Sequence, residues 1–126
     1  MIVMTAEATA IAKVLLKHHS KHCAAYEGAI PKTITDTTVA QCVIFYGSLC
    51  ERAGVPFLTH GVGRFLGEIA EWCEENGWPP LNSLAVNRAT GMPGVGYDGA
   101  PGSDLLLWPE QVRQCIVFSG YPEAIA

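Results

Sequence analysis

Residues 46–97 read YGSLCERAGVPFLTHGVGRFLGEIAEWCEENGWPPLNSLAVNRATGMPGVGY, and the reading of this stretch decides the fold. At its centre Val62, Phe65, Leu66, Ile69, Trp72 and Cys73 recur every three to four residues and make one apolar helical face. Thr59 is placed to cap that helix and Gly77 to end it. Glu68, Glu71, Glu74 and Glu75 crowd its C-terminal half, where the helix dipole disfavours acids, so a solvated acidic face is expected there. Upstream, Val39, Cys42, Val43, Tyr46, Leu49, Cys50 and Ala53 keep a helical period up to Gly54, a left-handed stop with Pro56 just beyond. Gly47 inside that run costs ~1 kcal/mol relative to alanine in a helix interior. The run therefore reads either as one helix or as a strand-like CVIF followed by a short helix from Tyr46. Downstream, Pro79 and Pro80 forbid helix, and Leu81, Leu84 and Val86 lead into the turn-rich NRATGMPG, which predicts a strand followed by a hairpin or wing.

Toward the N-terminus, Thr5 is a cap and Glu7 a first-turn acid. Ile11, Val14, Leu15, His18 and His22 come after them at helical spacing, which predicts an amphipathic helix over 6–24. Lys13, Lys17 and Lys21 fall one turn apart and form an exposed basic stripe. Gly28 and Pro31 break the pattern, and Asp36 is a good cap for the helical run that includes Val39 and Cys42. Toward the C-terminus, a glycine-rich loop runs from Gly91 to Gly102, Leu105–Leu107 is expected as a short strand, and Trp108 with Pro109 opens a last helix through Val112, Cys115, Ile116 and Phe118. The 126 residues show no repeat or linker and suit a single domain, 1–126, of mostly helical α+β class with about four helices and a short β-hairpin.

Apolar residues make up 49% and charged residues only 16%, against ~25% in ordinary soluble domains. Few charges are left to coat the surface, so a homo-oligomer, most simply a dimer, is expected. Five cysteines, an odd number without CxxC spacing, favour reduced thiols in the cytoplasm, and the absence of a long apolar run argues against a membrane segment. The net charge of −4 is unevenly spread. Residues 1–34 carry four lysines against Glu7 and Glu27, whereas residues 67–126 carry eight acids against Arg88 and Arg113. A polyanion has to avoid the second half of the chain.

In the order YGSLCERAGVP, HGVGRFL, PPLNSLAVNRATG, the chain resembles the winged-helix domain of the alkylguanine-DNA alkyltransferases and their alkyltransferase-like relatives. Tyr46 and Gly47 match the Tyr-Gly that opens a helix there, Val62 and Gly63 match the helix that enters DNA, and Pro79 matches the start of the alkyl-site segment. The resemblance implies a winged-helix domain that binds DNA. Pro80 stands at the reactive-cysteine position, followed by Leu81 and Asn82 in place of histidine and arginine, so alkyl transfer is not implied. His60 stands where that family wedges an arginine into the duplex.

Three functions compete: two non-catalytic binding roles, and a ligand-binding or enzymatic role for the Gly91–Gly102 loop. Tyr46, His60, Arg64 and Arg88 are the candidates for contact with nucleic acid, or with a nucleic-acid-associated protein. Trp72, Trp78 and Trp108 are the candidates for an apolar partner patch. The Gly91–Gly102 loop is the candidate cover of a small-molecule site, since loops of this kind often carry function. Its glycines have neither the P-loop nor the dinucleotide spacing, so no cofactor is expected. His18 and His22 offer two metal ligands where three or four are needed, Asp98 and Asp104 are more simply turn residues, and Cys50 with His60 makes a poor catalytic pair because nothing fixes their geometry.

Overall fold

The computed structural model describes residues 3–94, 97 and 105–125. Among them are five α-helices, α1 (Ala6–His22), α2 (Asp36–Cys42), α3 (Tyr46–Arg52), α4 (Gly63–Glu75) and α5 (Trp108–Val117), and two short strands, β1 (Ile44–Phe45) and β2 (Ala85–Val86). The fold is mostly helical. No described helix is long and apolar enough to cross a membrane.

The expected hairpin is replaced by a different pairing: β1 and β2 run parallel, with Ile44 opposite Ala85 and Phe45 opposite Val86. Parallel strands need a long crossover, and here α3 and α4 supply it. The turn after β2 closes on itself, Asn87 N–H donating to the Met92 carbonyl at 2.8 Å and Gly91 N–H to the Asn87 carbonyl at 2.8 Å. Gly91 takes φ 70° there, a conformation that glycine adopts without a Cβ penalty. Residues 95–96 and 98–104 of the glycine-rich loop, with Asp98 and Asp104, lie outside the described residues.

Of the two readings of residues 39–53, the broken one is observed, with α2 ending at Cys42 and α3 starting at Tyr46. Leu105–Leu107 forms a 3₁₀ turn rather than a strand. Thr35, not Asp36, caps α2, its Oγ1 accepting from Thr38 N–H at 3.1 Å. That shift frees Asp36 to bind Arg113, whose Nε also donates to the Ile34 carbonyl at 2.8 Å and whose Nη1 donates to the Pro109 carbonyl at 2.7 Å. One planar guanidinium thereby ties α5 to the entrance of α2.

The segment after α4 is the centre of the molecule. Leu81, Leu84, Ala85 and Val86 are fully buried and are packed by α1, α4 and α5. Around them close Ile11 and Leu15 of α1, Leu49 of α3, Ile69 of α4, and Val112 and Ile116 of α5. Trp108 belongs to this core. It is 7% exposed and its indole N–H donates to the Ser83 carbonyl at 2.8 Å. The expected three-tryptophan surface patch is therefore corrected: a helical apolar face predicts burial as readily as exposure, and only Trp72 and Trp78, half-buried and edge-to-face at 5.0 Å, stand near the surface.

Thr5 caps α1 as expected, its Oγ1 accepting from Ala8 N–H at 3.2 Å. Glu68 completes the cap from α4, accepting from Thr5 N–H at 2.8 Å and from the Thr5 hydroxyl at 3.0 Å. An acid from the middle of α4 thus sits at the positive start of another helix. Glu68→Ala is expected to cost about 1–2 kcal/mol, because it removes a charged acceptor from orphan helix donors. Urea unfolding checks this; an unchanged midpoint contradicts it.

His18 and His19 are both buried on α1. Each places Nε2 against a carbonyl, His18 on Cys42 at 2.8 Å and His19 on Cys115 at 2.7 Å, and because a carbonyl only accepts, Nε2 carries the proton in both. Burial lowers both pKa values below the ordinary 6.5. The unfolded chain therefore takes up protons at pH values where the folded chain does not. Above about pH 6.5 the two rings leave stability unchanged, and as the pH falls below that value they destabilise the fold, by up to ~1.4 kcal/mol per pH unit each. Unfolding midpoints between pH 7 and pH 5.5 are expected to fall in the wild type and to fall less in His19→Gln.

Candidate functional site

α4 begins at Gly63 with no side-chain cap. Thr59, the expected cap, instead turns its hydroxyl onto the Pro56 carbonyl at 2.9 Å, inside the preceding turn. The start of α4, the N-terminus of α3 and the turn after β2 leave a cavity of about 260 Å³ between them. Its floor is apolar, with Val62, Leu66 and Ala85.

The polar groups come from every side. Tyr46 stands at the first position of α3, and its hydroxyl accepts from Gly94 N–H at 2.8 Å, which fastens the start of the glycine-rich loop over the cavity. Burial pushes the phenol pKa up, so the hydroxyl stays protonated and keeps its own hydrogen to donate. Tyr97 also lines the cavity and donates to Gln111 Oε1 on α5 at 2.6 Å. Asn82, 2% exposed, and Asn87, the first residue of the turn, bring two carboxamides. Asn87 is held by Ala89 N–H, which donates to its Oδ1 at 2.8 Å. His60 and Thr59 close the side next to α4. No described lining residue is a carboxylate, a lysine or an arginine.

The structure divides the four expected nucleic-acid residues in a simple way. Tyr46 and His60 line the cavity. Arg64 and Arg88 are exposed, and each directly follows a lining residue, Gly63 and Asn87. Both guanidinium groups are held over aromatic rings, Arg64 over Phe65 at 5.6 Å and Arg88 over Phe45 at 4.7 Å. Such stacking orients the group while leaving its N–H donors free at the edge.

Sequence reasoning missed Asn82, Asn87 and the two glycines of α4 that line the cavity, Gly63 and Gly67. The glycines did leave a signal. Gly67 sits inside the most strongly amphipathic helix of the chain, where a glycine costs about 1 kcal/mol relative to alanine. Neither glycine has positive φ, and among the described residues a Cβ built on either meets no atom within 4 Å. Backbone conformation demands a glycine at neither position, and both line the cavity.

Another hollow, of about 480 Å³ between α1 and residues 118–123, has His19 in its wall, but that ring is already committed to Cys115 and to an edge-on contact with Tyr121 at 4.9 Å. All five cysteines are free and buried. Burial raises the Cys50 thiol, pushes Cys73 up to about 11 and Cys115 up to about 12, so none of these three is a ready thiolate. His18 and His22 stack at 4.3 Å, but no three of the described His, Cys, Asp or Glu side chains come together as metal ligands.

Fold and site together define a class: a small, mostly helical domain with a polar-walled pocket at a helix start, to which Gly94 and Tyr97 contribute. No protein-family model, curated protein or solved structure matches the chain.

Proposed function

We infer that this domain binds one small polar molecule, without transforming it, in the cavity between α3, the start of α4 and the turn after β2. The observation that carries the reading is the pair Gly63 and Gly67. They lie one turn apart on α4, both line the cavity, and neither is demanded by backbone conformation or by packing against the described residues. A helix that gives up propensity beside a cavity keeps the room for something else. The volume, about 260 Å³, lies just below the usual range for drug-sized ligands and suits a single ring system or sugar-sized molecule. Two phenols, two carboxamides, a hydroxyl and an imidazole can fix its orientation over an apolar floor.

An NMR screen of small polar fragments, with amide shift mapping, tests this. Bound fragments are expected to shift Tyr46, His60, Gly63, Gly67 and Gly94 together and to leave Lys13 and Lys17 unmoved. A screen in which no fragment moves that group of amides ends the reading.

A second reading takes α4 as the recognition helix of a winged-helix domain that contacts nucleic acid. The joint exposure of His60, Arg64 and Arg88 favours it. It predicts a complex in low-salt mobility-shift titrations that weakens steeply with salt and disappears in a His60→Glu, Arg64→Glu double variant.

A further inference from the structure

We propose that Cys23 and Cys42 are a redox pair, two buried thiols that hydrogen peroxide converts to a disulfide joining the end of α1 to the end of α2. The pair is independent of the small-molecule cavity and of the reading built on it.

The way α2 ends brings the two residues together. α1 stops at His22, and Cys23 is its C-cap, donating its N–H to the His19 carbonyl at 2.9 Å. Cys42 is the last residue of α2, and two contacts lay it over that final turn of α1. Its carbonyl accepts from His18 Nε2 at 2.8 Å, and its Sγ donates at 3.6 Å to the carbonyl of His22, the residue bonded to Cys23. Both thiols are free, and in the packed layer between the two helix ends they are hydrogen-bond partners, Cys23 donating and Cys42 accepting.

That contact divides the roles. The Cys23 thiol beside it holds the Cys42 thiol below its ordinary pKa, against the opposing effect of burial, whereas Cys23 itself is raised by its bond to Cys42 and by burial. Cys50, Cys73 and Cys115 are all raised by burial and fit the ordinary role of small core residues. Cys42 is therefore the sulfur that gives up a proton first, with a second thiol already in contact.

Both residues are only 1% exposed, which keeps bulky oxidants out. Cys23 nevertheless forms part of the wall of the 480 Å³ hollow between α1 and residues 118–123, together with Lys17, Ser20, Glu27 and Glu123. A hollow with polar walls of this kind admits water, and hydrogen peroxide is close to water in size and polarity. The Cys42 thiolate attacks one peroxide oxygen: an S–O bond forms, the O–O bond breaks, and the departing hydroxide takes up the proton that Cys42 gave up. The Cys23 sulfur then attacks the Cys42 sulfenic acid; the S–S bond forms, the S–O bond breaks, and the departing hydroxide carries off the Cys23 proton. Two thiols are oxidised and one peroxide is reduced to two molecules of water.

The test treats the folded protein with a small molar excess of hydrogen peroxide, alkylates the remaining thiols under denaturing conditions, and maps the peptides by mass spectrometry without reduction. A peptide joining Cys23 to Cys42 is expected, with Cys50, Cys73 and Cys115 alkylated. The oxidised protein is expected to melt about 5–10 °C above the reduced one, because the bond closes a loop in the unfolded chain, and dithiothreitol is expected to reverse both changes. Cys23→Ser is expected to leave Cys42 as a sulfenic acid that dimedone captures, and Cys42→Ser to give no such capture at Cys23; the opposite distribution overturns the division of roles. Three results on the wild-type protein alone overturn the pair: no linked peptide, a link that forms only once urea has unfolded the chain, or a linked protein that melts below the reduced one.

Discussion

Trp108→Ala is expected to lower stability by about 3–5 kcal/mol, more than truncation of either other tryptophan. The indole is 7% exposed, opens α5, and reaches across to the Ser83 carbonyl inside the buried segment that the helices surround. Its removal leaves a cavity and a buried carbonyl without its donor, two costs that add. For a domain of this length that corresponds to a melting temperature roughly 10–20 °C lower. Trp72→Ala and Trp78→Ala, at half-buried positions, are expected to cost clearly less. Equal losses at all three positions would show that Trp108 is no more a core residue than the other two.

Gly67→Ala runs the other way. The position is helical, with negative φ and no described atom in the path of a Cβ, so alanine is expected to raise stability by about 0.4–1 kcal/mol, partly by restricting the unfolded chain. A gain of this kind at a position that lines a cavity is what a preference for ligand space over stability looks like. A loss on substitution to alanine would mean that the glycine has a structural purpose after all.

How far the fold is legible in the sequence depends on the range of each interaction. The α4 helix is plain from its apolar period, and so are the left-handed stops at Gly54 and Gly77, with φ 78° and 72°, because both features are local. The break at residue 43 is one of two open readings, foreshadowed by Gly47. The parallel β1–β2 pairing is not legible, since two-residue strands leave no alternation to read and their partners are some forty residues apart. Glu68 illustrates the same limit. Within its own helix it is one more mid-helix acid, and only the arrival of Thr5 from 63 residues away gives it a purpose. Thr59 and Thr35 show how capping residues compete when several lie close together.

The site is half legible. Tyr46 and His60, expected as contacts for a polyanion, are walls of a cavity, whereas Arg64 and Arg88 are exposed and do not line it. Polar and aromatic residues flanking helix starts mark a surface that touches something, but not its curvature, which depends on the turn at 87–94 folding back to Tyr46 through Gly94. Asn82 and Asn87 carry no pattern in sequence and gain meaning only when the buried segment 81–84 and the turn after β2 bring them to the wall of the cavity.

The most direct measurement is the affinity of Gly67→Leu for whichever fragment the wild-type pocket binds, taken together with its melting temperature. Leucine is a good helix former and its side chain has the cavity to enter, so the variant is expected to melt at or above the wild-type temperature while losing on the order of tenfold or more in affinity. A folded Gly67→Leu that binds the same molecule as tightly as the wild type would contradict the claim that this cavity is where the protein binds its ligand.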